Sequence, residues 1–186
     1  MPTILFYKPF EVLSTFTDEG TGHSTLKEFI PIPNVYAAGR LDFRSEGLLL
    51  LTDDGQLTNR LSDPKHHVEK TYYAQVEGVP TPEALAIFKK GVTLKDFTAL
   101  PAEARLLPDP NLPPRSKPIT PHGPTAWLEI RLHEGKKHQV RQMTNAVGLP
   151  TLRLVRVAIG PLTLGQLQPG EWREVAEEEL KKLWRK

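Results

Sequence analysis

The densest apolar run in the chain is short: Gly47–Leu51, one glycine and four leucines. A membrane span needs about 18 consecutive apolar residues. This chain must therefore bury its apolar side chains in short strands and helices packed against one another. Its 186 residues suit one domain, or two small ones, and a fold of that size buries roughly two-thirds of the surface its unfolded form exposes. A hydrophobic share of 39% beside 25% charged residues excludes a disordered chain. With no cysteine, disulfides, thiolate nucleophiles and cysteine-ligated zinc or iron–sulfur sites are excluded. The opening MPTILFYKPF lacks the basic-then-apolar order of a secretory signal, so the cytoplasm is the expected location.

Short apolar runs alternate with helix signals. Ile4–Tyr7 and Val12–Thr15 read as strands separated by Lys8-Pro9, where proline ends the pairing. Val35–Ala38, Leu48–Thr52, Lys70–Glu77, Thr125–Leu132 and Thr151–Val157 also read as strands. Ser24 is placed to cap a short helix over Thr25–Ile30, and Gln56–Leu61 reads as a helix between the Asp53-Asp54-Gly55 turn and Asp63-Pro64. Thr81-Pro82-Glu83 opens a helix that Gly91 closes. Lys136–Val147, with Val140, Met143 and Val147 on its apolar side, and Glu177–Trp184 complete the set. Eight of the eighteen prolines fall between Pro101 and Pro124, which predicts a long restrained loop. The expected class is α+β with a mixed, largely antiparallel sheet.

Net charge is only +2, but its distribution is uneven. From Arg131 to Arg156 six Lys and Arg (Arg131, Lys136, Lys137, Arg141, Arg153, Arg156) stand against one acid, Glu134. Such a segment on a nearly neutral chain suits a nucleic-acid site, or is simply a solvated basic face. The sharpest motif is Gly39-Arg40-Leu41-Asp42, followed by Ser45-Glu46-Gly47-Leu48-Leu49. A glycine after a strand permits a turn that presents Arg40 and Asp42 on a loop; alternatively, Asp42 merely caps the next element. Tyr72, Ala74 and Val76 share one strand face and fit a core, with Tyr73 on the other face.

Taken in order, seven segments resemble the pseudouridine synthases, in the branch that acts on bacterial ribosomal RNA. They are Lys8-Pro9-Phe10-Glu11-Val12-Leu13-Ser14, Gly39–Gly55, Glu69-Lys70-Thr71-Tyr72, Glu134–Met143, Arg153-Leu154-Val155-Arg156, Ile159-Gly160 and Pro169–Arg173. Two departures stand out. Only seven residues precede Lys8, where many relatives carry a small RNA-binding domain, and Ala158 replaces a side chain that is often basic. The resemblance implies one catalytic domain over residues 1–186, without a separate N-terminal RNA-binding domain. It implies isomerisation of a uridine in ribosomal RNA, most closely 23S, with no cofactor and no metal. With no long heptad or large apolar stripe to demand a partner, a monomer is the default expectation.

Under that resemblance Asp42 is the catalytic group, as a nucleophile toward sugar or base or as a general base for a ribose proton. Arg141 is its expected ion-pair partner at the cleft floor. Tyr72 stacks on or holds the target base, Arg40 steers a phosphate or the splayed nucleotide, and Leu154 packs beneath the base. Lys136, Lys137, Arg153 and Arg156 are candidate phosphate contacts. His133 and His138 lie five apart with Gly135 between them, unlike a zinc-protease helix. Rival readings are a synthase for another ribosomal site or for transfer RNA, and a non-catalytic RNA-binding protein on the same fold.

Overall fold

Strand β3 (Glu46–Thr52) is buried at every position, and so is its neighbour β1 (Thr3–Lys8). Strands covered on both faces carry continuous apolar runs rather than alternating ones, which accounts for the four leucines. In the computed structural model, which describes residues 2–184, these two strands pair antiparallel from Thr3↔Thr52 to Lys8↔Gly47. They join a nine-stranded sheet with β2 (Tyr36–Ala37), β4 (Lys70–Glu77), β5 (Glu103–Leu107), β6 (Thr125–Leu132), β7 (Thr151–Ile159), β8 (Leu162–Thr163) and β9 (Trp172–Glu174). The order is β5-β6-β4-β7-β3-β1-β9, with β2 on β3 and β8 on β7. Only the β3–β7 pairing is parallel, so the sheet is mixed and largely antiparallel, as expected.

That parallel seam positions the site. β3 and β7 pair at just two registers, Glu46↔Val155 and Gly47↔Arg156. Gly47 has φ +107°, and a Cβ there would stand 2.3 Å from the Arg156 carbonyl oxygen. Only glycine lets the two strands approach this closely.

The alternation of each strand divides the apolar residues between the two sheet faces. One core gathers Ile4, Phe6, Leu49, Tyr72, Leu128 and Leu154 with α2 (Pro82–Lys90) and α3 (Gln139–Ala146). The other gathers Leu5, Leu48, Leu50 and Val155 with α1 (Gly55–Ser62) and α4 (Glu177–Trp184). No helix among the described residues is long and apolar enough to cross a membrane.

Several local readings are corrected. Val12–Thr15 forms no strand; Val12 makes one bridge to Ser24. Glu11 is left-handed at φ 56° and turns the chain around the buried Lys8 ammonium, which donates to the carbonyls of Pro9 (2.9 Å) and Val12 (2.8 Å). The helix expected at Thr25–Ile30 is a single 3-10 turn, Leu26–Glu28, capped by Thr25 rather than Ser24; the Thr25 hydroxyl accepts from the Lys27 N–H. The proline-rich segment contains β5, because Pro101 and Pro108 flank Glu103–Leu107 and leave its N–H groups free to pair with β6. Helix α3 starts at Gln139 rather than Lys136, since His138 is left-handed at φ 54°.

Candidate active site

Asp42 is fixed from both sides along the chain. Leu41 before it is buried, and Ser14 clasps that residue: its hydroxyl donates to the Leu41 carbonyl (2.8 Å) and accepts from the Leu41 N–H (3.1 Å). After it, the Ser45 N–H donates to the Asp42 carbonyl at 2.9 Å and closes a turn. The carboxylate reaches the wall of a cavity of about 180 Å³ with its side chain 31% exposed.

The rest of the cavity comes from the seam. Tyr72 opposes Arg156 and Ala74 opposes Leu154 across the β4–β7 ladder. Successive residues of a strand point to opposite faces, so Tyr72, Leu154 and Arg156 line the cavity together. Arg40 and Lys136 line its exposed rim, whereas Lys137 is exposed outside the lining. Lys136 also sets its ammonium 3.7 Å from the centre of the Phe97 ring, a cation–π contact.

The Asp42–Arg141 ion pair does not form. No Arg141 nitrogen comes within 4.0 Å of the carboxylate. The guanidinium instead donates to the carbonyls of Thr151 (3.2 Å) and Arg44 (2.9 Å), tying α3 to the loop that follows Asp42. Burial lowers its pKa from the usual arginine range, and the nearby Asp42 charge opposes that shift.

The basic group beside the carboxylate is His138, with Nε2 3.4 Å from Asp42 Oδ1. It is delivered by a strapped turn. The buried Glu134 carboxylate accepts from the Leu100 N–H (2.7 Å) and from Gln139 Nε2 (2.6 Å), while Gln139 Oε1 accepts from the Lys136 N–H (2.9 Å). These bonds hold residues 134–138 off the helix, and His138 ends the turn in its left-handed conformation.

Lys8 is the second group not foreseen. It is fully buried, and desolvation pushes its ammonium down to about 7, against the pull of Glu46 and then of Asp42. Lys8 left a local signal, a lysine before proline at a strand end; His138 left none, because its placement depends on a left-handed backbone.

Two of the four phosphate-contact candidates are corrected. Arg153 alternates away from the cavity face and is buried. It grips Glu46 with Nε (2.9 Å) and Nη2 (2.8 Å), and Nη2 also donates to the Pro113 carbonyl (2.7 Å). Arg156 is buried in the cavity wall, with Nε donating to the Leu48 carbonyl (2.8 Å) and Nη2 without a partner. Neither guanidinium lies on the protein surface. Among the described residues no three His, Asp or Glu side chains gather to hold a metal ion.

The sequence and fold that build this cleft find close parallels among known proteins. The family model described as RNA pseudouridylate synthase matches residues 2–146. The ribosomal large subunit pseudouridine synthase E of Vibrio vulnificus is 51% identical over 175 residues, covering 93% of this chain and 74% of that one. The protein of the same name from Xanthomonas campestris is 54% identical over 174 residues, covering 91% and 93%. A crystal structure of a pseudouridylate synthase superposes with a TM-score of 0.83 at 29% identity, over 98% of this chain and 73% of that one. The chain belongs to the RNA pseudouridylate synthase family and is an RNA pseudouridine synthase.

Proposed function

We propose that the chain converts a uridine of large-subunit ribosomal RNA to pseudouridine in the cavity beside Asp42. The reaction breaks the bond from the ribose to uracil N1, turns the base, and joins the ribose to C5. The proton on C5 leaves and N1 gains one, so no redox partner or group donor enters the balance. The observation that carries this reading is that Asp42, Tyr72 and Leu154 line one cavity. Relatives about half identical in sequence bear the name of a large-subunit enzyme.

Each side chain has a task. Asp42 attacks the nucleotide or takes a proton from it. Tyr72 offers its ring to the extruded base, and Leu154 packs beneath it. Arg156 supplies an N–H donor that no protein atom satisfies; a buried donor without a partner is costly, and a uracil carbonyl answers it. Extraction of a base from its stack costs a few kcal/mol, which contacts of Arg40, Lys136 and Lys137 with the backbone offset. A ribosomal RNA substrate puts the enzyme in the cytoplasm, and one chain supplies every group named here, so the monomer is the working unit.

The test is incubation of the protein with total bacterial RNA lacking this modification, followed by mapping of pseudouridine by sequencing. One new site in large-subunit RNA is the expected result. Modification confined to small-subunit or transfer RNA would overturn the substrate assignment.

A further inference from the structure

The stretch of chain over residues 60–69 borders two hollows. Leu61, Ser62 and Pro64 line the catalytic cavity. Arg60 and the turn Lys65-His66-His67 line a separate groove of about 330 Å³, completed by Lys182 of α4. Residues 171–186 carry five acids and five bases, which cancel as a sum. Folding separates them: Glu177, Glu178 and Glu179 occupy the first turn of α4, and Lys181 and Lys182 the last.

Within the groove the bases Arg60, Lys65 and Lys182 outnumber the one acid, Glu69. Lys65 and Lys182 enter no ion pair among the described residues. Glu69, the carboxylate of the lining, stands 3.6 Å from His133 Nε2. The His133 ring also donates from Nδ1 to the His67 carbonyl at 3.0 Å, which braces a turn whose His67 is left-handed at φ 49°. Both His66 and His67 are exposed.

An aromatic ring adjoins these charges. Trp184 is 48% exposed. The Arg60 guanidinium lies 5.0 Å from its ring centre, and Arg60 Nε donates to the Leu183 carbonyl at 3.1 Å. A basic groove beside an exposed indole is the pairing that holds single-stranded nucleic acid: cations track the phosphates and the ring stacks on a base of any identity. With Arg153 and Arg156 buried, phosphate contacts beyond Arg40, Lys136 and Lys137 must come from elsewhere on the surface.

We propose that this groove binds the single-stranded RNA flanking the target uridine, with Lys65 and Lys182 on phosphates and Trp184 under a base. The proposal rests on the catalytic reading of the neighbouring cavity, which fixes where the flanking strand starts.

The test compares wild type with Lys65→Glu/Lys182→Glu, Trp184→Ala and Trp184→Phe. One assay is pseudouridine formation on a large-subunit RNA fragment; the other is binding of a labelled oligouridylate of about a dozen nucleotides across a salt series. The double charge reversal is expected to raise KM about tenfold or more with kcat within about twofold. It should also reduce the slope of log Kd against log salt by about 1.4, at ~0.7 per phosphate contact. Trp184→Ala should weaken oligouridylate binding about fivefold or more, and Trp184→Phe should restore most of it; equal melting temperatures exclude misfolding. Unchanged KM and salt slope in the charge reversal would overturn the groove. If wild type formed no pseudouridine at all, the catalytic reading would fall, while the oligouridylate measurement would still judge the groove by itself.

Discussion

His138 Nε2 stands 3.4 Å from Asp42 Oδ1, while Arg141 spends its donors on the carbonyls of Arg44 and Thr151. The imidazole is half exposed, and pairs of that kind contribute about 0.2–1 kcal/mol. His138→Ala is therefore expected to lower kcat/KM by at most about fivefold in single-turnover assays. A loss beyond about a hundredfold would mark the imidazole as a proton-transfer group. Arg141→Ala should act differently, loosening the joint between α3 and the Asp42 loop, and so depress melting temperature and kcat together.

Lys8 makes stability depend on pH. Its folded pKa is about 7 against the ordinary 10.5, with burial the main cause. Between those values the unfolded chain keeps a proton that the folded chain has released, so stability rises with pH across the window and is lowest, for this group, below about pH 7. The slope is at most ~1.4 kcal/mol per pH unit, which predicts a gain of ~2 kcal/mol from pH 7 to pH 9. Urea unfolding of wild type and Lys8→Met at both pH values checks this. The variant should lack the gain, and parallel behaviour of the two proteins would contradict it.

Charge alone does not distinguish Arg153 from Lys136 or Lys137, but the structure does. Truncating one partner of a buried ion pair costs about 3–5 kcal/mol, so Arg153→Ala should lower stability by that order by leaving Glu46 buried without its partner. Lys136→Ala and Lys137→Ala should leave the melting temperature nearly unchanged. Each should reduce the salt dependence of RNA binding by one phosphate contact. Calorimetry and salt titration on the same three proteins decide the assignment.

What the sequence disclosed follows from the range of each interaction. Lys70–Glu77, Thr125–Leu132 and Glu177–Trp184 have the predicted bounds, because alternation, first-turn acids and flanking turns are local signals. β5 and β9 were not legible, since short edge strands take their identity from a distant partner. Arg153 read as a surface charge because Glu46 lies 107 residues away. Period-two alternation from Leu154 and Arg156 would have assigned it to the opposite face. The Asp42 loop was legible as a motif, but its neighbours were not. A left-handed His138 and a guanidinium turned toward carbonyls depend on backbone geometry that residue types alone do not disclose.

The central claim is that the Asp42 carboxylate performs the chemistry and is not needed to hold RNA. Release of tritium from RNA labelled at uridine C5 reports the reaction directly, because C5 loses its hydrogen when it becomes the glycosidic carbon. Wild type should release one tritium per target site. Asp42→Asn, which keeps shape and removes the charge, should release none detectable, a loss of at least about a thousandfold by the scale of catalytic-group deletions, with RNA affinity within about twofold. Release by Asp42→Asn at a rate within tenfold of wild type would contradict the account.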